Sequence, residues 1–69
     1  MDWEEACEQC ERIIEKCDEM PSRAEDFTES VREKVQGIWG TIEVSEEVTE
    51  NQQNALDNME AGLDKWLDR

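Results

Sequence analysis

The sequence predicts an all-α fold, a small three-helix bundle whose helices run up, down and up. Three segments carry apolar residues mostly at steps of three and four, the spacing of one helix face. Met20-Pro21 separates the first two segments, because the residue before a proline is pushed out of the helical region. A short, mostly polar stretch, residues 45–48, separates the second segment from the third. A chain of 69 residues makes one domain, residues 1–69.

The first helix is predicted from residue 2 to about residue 19, with Asp2 as the capping residue. Its apolar seam has heptad spacing and consists of Trp3, Cys7, Cys10, Ile14 and Cys17, broadened by Ala6 and Ile13. Because every cysteine lies on this seam, we expect reduced cysteines that act as small buried hydrophobic residues. The C-x-x-C at Cys7 and Cys10 lacks both the fourth ligand of a zinc site and the βαβ pattern of a thioredoxin-like site.

The second helix, predicted over about residues 22–42, is expected to be the central helix on which the other two pack. It has the longest apolar stripe of the chain, formed by Ala24, Phe27, Val31, Val35, Ile38 and Ile42, with Trp39 beside it. Ser22 and Glu25 form a predicted capping box at its start. Gly37 and Gly40 weaken its last turns, which places its end between Trp39 and Val44. The β-branched residues of 41–44 could also be extended, but Ile42 continues the stripe, so we expect helix to about residue 42.

The third helix is predicted from residue 50 to about residue 67, behind a second capping box of Thr49 and Gln52. Its apolar stripe consists of Leu56, Met59, Leu63, Trp66 and Leu67, with Ala55 beside them. Each of the three helices carries one tryptophan on or beside its stripe. We therefore expect all three indoles to pack in the core.

Charge is the outlier of the composition. Twenty acidic residues stand against seven basic ones, a net charge of -13. Such a surface repels nucleic acid and anionic membranes, and it attracts basic surfaces, including the grooves in which other proteins hold nucleic acid. We expect no membrane segment, because no apolar run approaches the roughly 20 residues of a span. The first five residues contain no basic or apolar leader pattern, so we also expect no signal peptide and a cytoplasmic protein.

The acidic residues fall in rows. One row follows the first helix at steps of four, three, four and three: Glu4, Glu8, Glu11, Glu15 and Asp18. A looser set lies on the third helix: Glu50, Asp57, Glu60, Asp64 and Asp68. No base occurs between Val35 and Asp64, where seven acids occur: Glu43, Glu46, Glu47, Glu50, Asp57, Glu60 and Asp64. Carboxylates one helical turn apart, about 5.4 Å, can replace phosphates in a basic groove. An ordinary solvated face is the alternative interpretation of these rows.

The sequence contains no recognisable catalytic set. It has no histidine for general acid–base work, no glycine-rich phosphate loop, and no base partnered with Ser22 or Ser45. We therefore expect neither enzymatic activity nor a cofactor, and no metal site.

In its length, charge and helical build, and in its acidic rows above all, the chain resembles the small acidic DNA-mimicking proteins of phages and mobile elements. These include anti-CRISPR and anti-restriction proteins. Residues 48–52, 55–59 and 62–67 also look like the tail of uncharacterised small phage proteins. The resemblance implies an inhibitor that occupies the DNA-binding surface of a defence complex in the host cytoplasm, with CRISPR effector complexes as the leading target.

Two hypotheses therefore follow. In the first, the protein is an acidic DNA mimic that binds a basic nucleic-acid-binding protein or CRISPR effector complex and does not itself bind nucleic acid. Its contact residues would be the following eleven acids of the first helix and of the base-free span: Glu4, Glu8, Glu11, Glu15, Glu43, Glu46, Glu47, Glu50, Asp57, Glu60 and Asp64. In the second, it is a small helical interaction or assembly module, a homodimer for example, whose acidic surface serves solubility.

Overall fold

Three α-helices and a 3-10 turn make up nearly all of the described chain. The computed structural model describes residues 2–67, with α1 at Trp3–Asp18, the 3-10 turn at Ser22–Ala24, α2 at Glu25–Ser45 and α3 at Glu50–Leu67. The predicted all-α fold is confirmed, and no strand occurs in this range. α1 and α3 run in the same direction, since Gln9 contacts Asp57 and Lys16 contacts Asp64. Up-down-up order follows from this.

The start of α1 is capped as predicted. Asp2 has extended backbone angles, and its carboxylate accepts a hydrogen bond from the Glu4 backbone N–H at 3.0 Å. The helix itself is slightly shorter than predicted, beginning at Trp3 and ending at Asp18. At the other end, the N–H of Glu19 bonds back to the carbonyl of Lys16 at 3.1 Å.

The predicted capping box at the start of α2 was wrong. An N-cap residue needs extended backbone, and here the extended residue is Pro21, with ψ 155°, which has no side-chain oxygen. Ser22 instead begins the 3-10 turn, closed by a bond from the Ala24 N–H to the Pro21 carbonyl at 3.0 Å. α2 then begins at Glu25 rather than Ser22, with no side-chain cap.

α2 also continues three residues beyond its predicted end, to Ser45. Both glycines keep helical backbone angles, and Ile42 is fully buried, so core packing holds the last turns in place. The residue that follows the helix, Glu46, has left-handed backbone angles of φ 54° and ψ 35°. By contrast, the predicted box at the start of α3 is confirmed: the hydroxyl of Thr49 accepts from the Gln52 N–H, and the Gln52 side chain accepts from the Thr49 N–H.

α1, rather than α2, is the central helix, which corrects the expectation from the length of the α2 stripe. The core is built from Ala6, Cys10, Ile13 and Cys17 of α1, Val31, Val35 and Ile42 of α2, and Leu56 and Leu63 of α3. α1 packs extensively against both other helices, whereas α2 and α3 touch little. Alanine and cysteine are small, so two helices can approach the same face of α1.

Two apolar faces are rotated slightly from the predicted ones. Of the two neighbouring isoleucines of α1, Ile13 is fully buried and Ile14 is only half-buried. On α2, Val31 and Val35 are buried as predicted, but Phe27 is 37% exposed. Its ring lies over Gly62 of α3, where a Cβ atom would come within 3.0 Å of the ring.

The tryptophans lie at the margin of the core rather than inside it. Trp3 and Trp39 are half-buried and pack against the core cluster. Trp66 is also half-buried, and the guanidinium of Arg23 lies 5.4 Å from the centre of its ring. This contact has the geometry of a cation–π interaction.

Candidate acidic contact surface

Four glutamates form an exposed row along α1, here called the α1 ridge: Glu4, Glu8, Glu11 and Glu15. Neighbours in the row are about one turn, 5.4 Å, apart, so the ridge is roughly 16 Å long. Within residues 2–67 none of its four carboxylates forms an ion pair. The fifth predicted member, Asp18, is different, because it pairs with Arg32 of α2 at 3.1 Å.

The two bases of α1 neutralise α3 rather than the ridge. Arg12 donates two hydrogen bonds to the carboxylate of Glu60, from Nε at 2.7 Å and from Nη2 at 3.2 Å. Lys16 Nζ donates to Glu60 at 2.9 Å and to Asp64 at 2.7 Å. The basic side chains of α1 are therefore hydrogen-bonded at the α1–α3 seam and not to the ridge.

A glutamine completes this seam. Gln9 is 7% exposed, and its amide nitrogen donates to Asp57 at 2.9 Å and to Glu60 at 3.1 Å. Its carbonyl oxygen accepts from Gln53 at 2.7 Å. Each polar atom of the Gln9 side chain thus has a partner, so the group can be buried without the cost of an unmade hydrogen bond.

Glu60 accepts hydrogen bonds from three side chains of α1, those of Gln9, Arg12 and Lys16. Its side chain is 16% exposed. The hydrogen bonds from Arg12 and then from Lys16 lower its pKa from 4.5 to about 2, although burial acts in the opposite direction. The hydrogen bond to Glu60 raises the pKa of Arg12, and the hydrogen bonds to Asp64 and then to Glu60 raise the pKa of Lys16. Glu60 therefore stays ionised at neutral pH and ties α3 to α1.

The predicted contact residues thus divide into two groups. Three of them, Asp57, Glu60 and Asp64, face α1 and are held by its polar side chains. Eight are exposed and form no ion pair within residues 2–67: the α1 ridge and Glu43, Glu46, Glu47 and Glu50. Asp68, also named in the sequence interpretation, lies outside the described residues.

The spacing of polar residues in the sequence could have predicted the contact between α1 and α3. Gln9, Arg12 and Lys16 step by three and four along α1, and Asp57, Glu60 and Asp64 step by three and four along α3. Two stripes of equal spacing and complementary polarity are what two parallel helices need to pair.

The second exposed set lies around the α2–α3 connection and is here called the connection cluster: Glu43, Glu46, Glu47 and Glu50. The last turn of α2 contains no basic residue. Because the carboxyl end of a helix carries partial negative charge, acids there are unfavourable by about 0.3–1 kcal/mol each. Glu46 adds the cost of a left-handed backbone in a residue with a side chain. A chain optimised for stability alone would place glycine at position 46 and a base at position 43, whereas Glu50, in the first turn of α3, is favourably placed.

The two acidic sets meet near Cys7. Burial raises the pKa of this thiol, and the charges of Glu43 and Glu4 raise it further, against the lowering effect of a hydrogen bond with Trp39. Glu43 belongs to the connection cluster and Glu4 to the α1 ridge. The charges of Glu4 and Glu43 thus act on the same thiol, where the start of α1 lies beside the end of α2.

The thiols have no reactive character. Burial raises the pKa of Cys10 to about 11 and also raises that of Cys17, and all three cysteines are free. A thiol with a raised pKa is a poor nucleophile at neutral pH, because the thiolate is the reacting form. Across residues 2–67, no group of three or more cysteine or acidic side chains is arranged to hold a metal ion.

Comparisons of the chain with family models, with curated proteins and with solved structures found no match. Among the described helices, none combines the length and the apolar character that crossing a membrane requires.

Proposed function

We propose that this protein is an acidic DNA mimic that binds the DNA-binding surface of a basic protein complex and keeps DNA out. CRISPR effector complexes are the leading class of target. The observation that carries the proposal is the separation of charge: the bases of α1 are turned to α3, while the four carboxylates of the α1 ridge and the four of the connection cluster are exposed and form no ion pair within residues 2–67. The proposed activity is binding alone, and no catalytic group is assigned.

The charge density of the α1 ridge supports the proposal. It has one carboxylate per turn, about 5.4 Å. One strand of B-DNA carries a phosphate every 3.4 Å along the axis. Over the roughly 16 Å of the ridge, four carboxylates thus take the place of about five phosphates. The connection cluster adds four exposed carboxylates at the end of α2 and the start of α3.

The binding mechanism follows from electrostatics. A net charge of -13 steers the protein toward a positively charged groove and raises the association rate. In the complex, lysine and arginine side chains that hold phosphates would pair with the glutamates. Such pairs are exposed and therefore screened, over about 10 Å at 0.1 M salt. We expect the affinity to fall as the salt concentration rises.

The experiment is a capture followed by displacement with DNA. The tagged protein is incubated with a cell lysate, washed, and then treated with duplex DNA. We expect release of a basic nucleic-acid-binding protein, and we expect NaCl to release it as well. Captured proteins that duplex DNA does not displace would contradict the proposal, and so would self-association as the only interaction.

A second candidate function, a helical interaction or assembly module, is favoured by one specific observation. An apolar groove between α2 and α3 is open to solvent, lined among others by Ile38, Ala55 and Met59. In that case the acidic surface would serve solubility, and DNA would not compete with any partner.

A further inference from the structure

Arg12 stands between two sets of carboxylates. Along its own helix, Glu8 lies four residues before it and Glu15 three residues after it, and both belong to the α1 ridge. Side chains at these spacings are neighbours on a helix surface, with Cβ atoms about 5–6 Å apart. Across the α1–α3 seam, Arg12 meets Glu60. The guanidinium can therefore pair either within α1 or with α3.

The order of Glu8 and Arg12 in the chain favours a pair within α1. A glutamate four residues before a base is the favoured orientation of an ion pair inside one helix. In the folded chain both residues border the same surface hollow of about 400 Å³. The hydrogen bond to Glu60 is the largest cause of the raised pKa of Arg12, and the charge of Glu8 adds to it. Arg12 thus remains within electrostatic reach of the ridge.

The contact with Glu60 prevails because of its geometry. Nε of Arg12 donates to one carboxylate oxygen at 2.7 Å and Nη2 to the other at 3.2 Å. Such a bidentate pair is stronger and more directional than a single contact between charges. The Glu60 side chain is only 16% exposed, whereas Glu8 is exposed, so water screens the Glu60 pair less.

Lys16, the other base of α1, has no such choice. No glutamate of the ridge lies three or four residues from it. Its ammonium is held by Glu60 and Asp64. Of the two bases of α1, Arg12 is therefore the one whose position sets the charge of the ridge.

We infer that Glu60 is a positioning residue for the α1 ridge: it holds the guanidinium of Arg12 on α3 and so keeps Glu8 and Glu15 available to the cations of a partner. Without Glu60, the guanidinium would turn to its own helix and neutralise part of the ridge. The use of the ridge by a partner rests on the proposed function, whereas the placement of Arg12 is a property of the isolated chain.

The test measures the electrostatic potential at the ridge in the isolated protein. A cationic and an anionic nitroxide of the same size are added separately to isotope-labelled protein. The NMR relaxation that each probe causes is compared at the side-chain protons of Glu8 and Glu15. The ratio of the two effects reports how strongly cations accumulate there. We expect Glu60→Gln to lower this accumulation.

Asp57→Asn is the matched control, because it removes one negative charge from the same seam and leaves the contact between Arg12 and Glu60 in place. Loss of a charge lowers the accumulation in both variants, but Glu60→Gln also releases Arg12. An ion pair within a helix changes an equilibrium by about 1.5–2-fold. The accumulation at Glu8 should therefore fall by about that factor more in Glu60→Gln than in the control. Adding Arg12→Gln should raise it more in the Glu60→Gln background than in wild type.

Arg12→Lys is a second variant that keeps the net charge of -13 and leaves Lys16 on Glu60. A lysine lacks the planar fork that binds both carboxylate oxygens. The accumulation of cations at Glu8 should therefore fall in this variant too, although no negative charge has been removed.

Equal falls at Glu8 in folded Glu60→Gln and Asp57→Asn would overturn the inference. If Glu60→Gln does not fold, Arg12→Lys decides, and wild-type accumulation at Glu8 in that variant would overturn the inference as well. Neither result depends on a partner. The proposed function fails on a different observation, that duplex DNA displaces no captured protein.

Discussion

Replacing Glu60 with glutamine tests whether the polar seam between α1 and α3 stabilises the fold. Glutamine keeps the shape of the side chain and removes its charge. The guanidinium of Arg12 and the ammonium of Lys16 would lose their shared carboxylate, while Lys16 would keep Asp64. We expect the variant to fold with reduced stability.

The expected loss follows from the pKa of Glu60. A fall from 4.5 to about 2 corresponds to about 3 kcal/mol of preferential stabilisation of the charged form. Arg12 is 52% exposed, so solvent screening reduces this figure, and we expect about 2 kcal/mol. A chain of this length has a total stability of about 3–10 kcal/mol. The midpoint of thermal unfolding should therefore fall by about 8–16 °C.

The measurement is the free energy of unfolding, from urea titrations followed by circular dichroism, across pH. The pKa of Glu60 is lower in the folded chain than in the unfolded one. Its contribution is therefore complete above a pH of about 4.5 and is lost as the pH falls to about 2. The difference between wild type and variant should follow the same course.

Glu11→Gln is the matched control, because it makes the same chemical change at an unpaired, exposed position of the α1 ridge. Its stability should lie within about 0.5 kcal/mol of wild type. Removing any acid also relieves the self-repulsion of a chain with a charge of -13, which favours folding. Equal stability of Glu60→Gln and wild type at pH 7 would therefore refute the reasoning.

Two further predictions concern backbone geometry, and both are measured as unfolding free energies. Glu46→Gly should stabilise the protein by about 1 kcal/mol because glycine accepts the left-handed angles at the end of α2, whereas Glu47→Gly, at a position without positive φ, should not stabilise it. Loss of stability in the first variant would contradict this account. Gly40→Ala should gain about 1 kcal/mol in open space, and Gly62→Ala should gain less because its Cβ comes within 3.0 Å of the Phe27 ring. Equal gains at the two glycines would show that the ring moves aside freely.

The sequence predicted the elements that depend on local patterns. The 3.6-residue period located all three helices, because each must bury one stripe of its surface. The caps at Asp2 and at Thr49 with Gln52 depend on a few neighbouring residues, and both were predicted. The predicted cap at Ser22 was wrong because the extended residue before the first turn is Pro21, which has no side-chain oxygen to accept a hydrogen bond.

The sequence did not predict which helix would be central, since that depends on packing between segments. α2 has the longest stripe, yet α1 has the small residues that admit two neighbours, including Ala6 and Cys10. Which acidic residues are exposed also depends on packing between segments, so the sequence did not predict it. Asp57 and Glu60 were grouped with the exposed acids, and only the contacts from Gln9 and Arg12 separate them.

The most direct test of the central claim compares two charge-neutralised variants for binding to a partner that DNA displaces. One carries Glu8→Gln, Glu11→Gln and Glu15→Gln in the α1 ridge; the control carries Glu25→Gln, Glu29→Gln and Glu33→Gln on α2. Each removes three negative charges from an exposed helical row, but the control row lies beside Arg32 and Lys34.

Three exposed ion pairs contribute about 0.2–1 kcal/mol each. We therefore predict that the dissociation constant for the partner rises about tenfold for the ridge variant and changes less than about threefold for the control. Equal dissociation constants for the two folded variants would show that the α1 ridge is not the surface that takes the place of DNA.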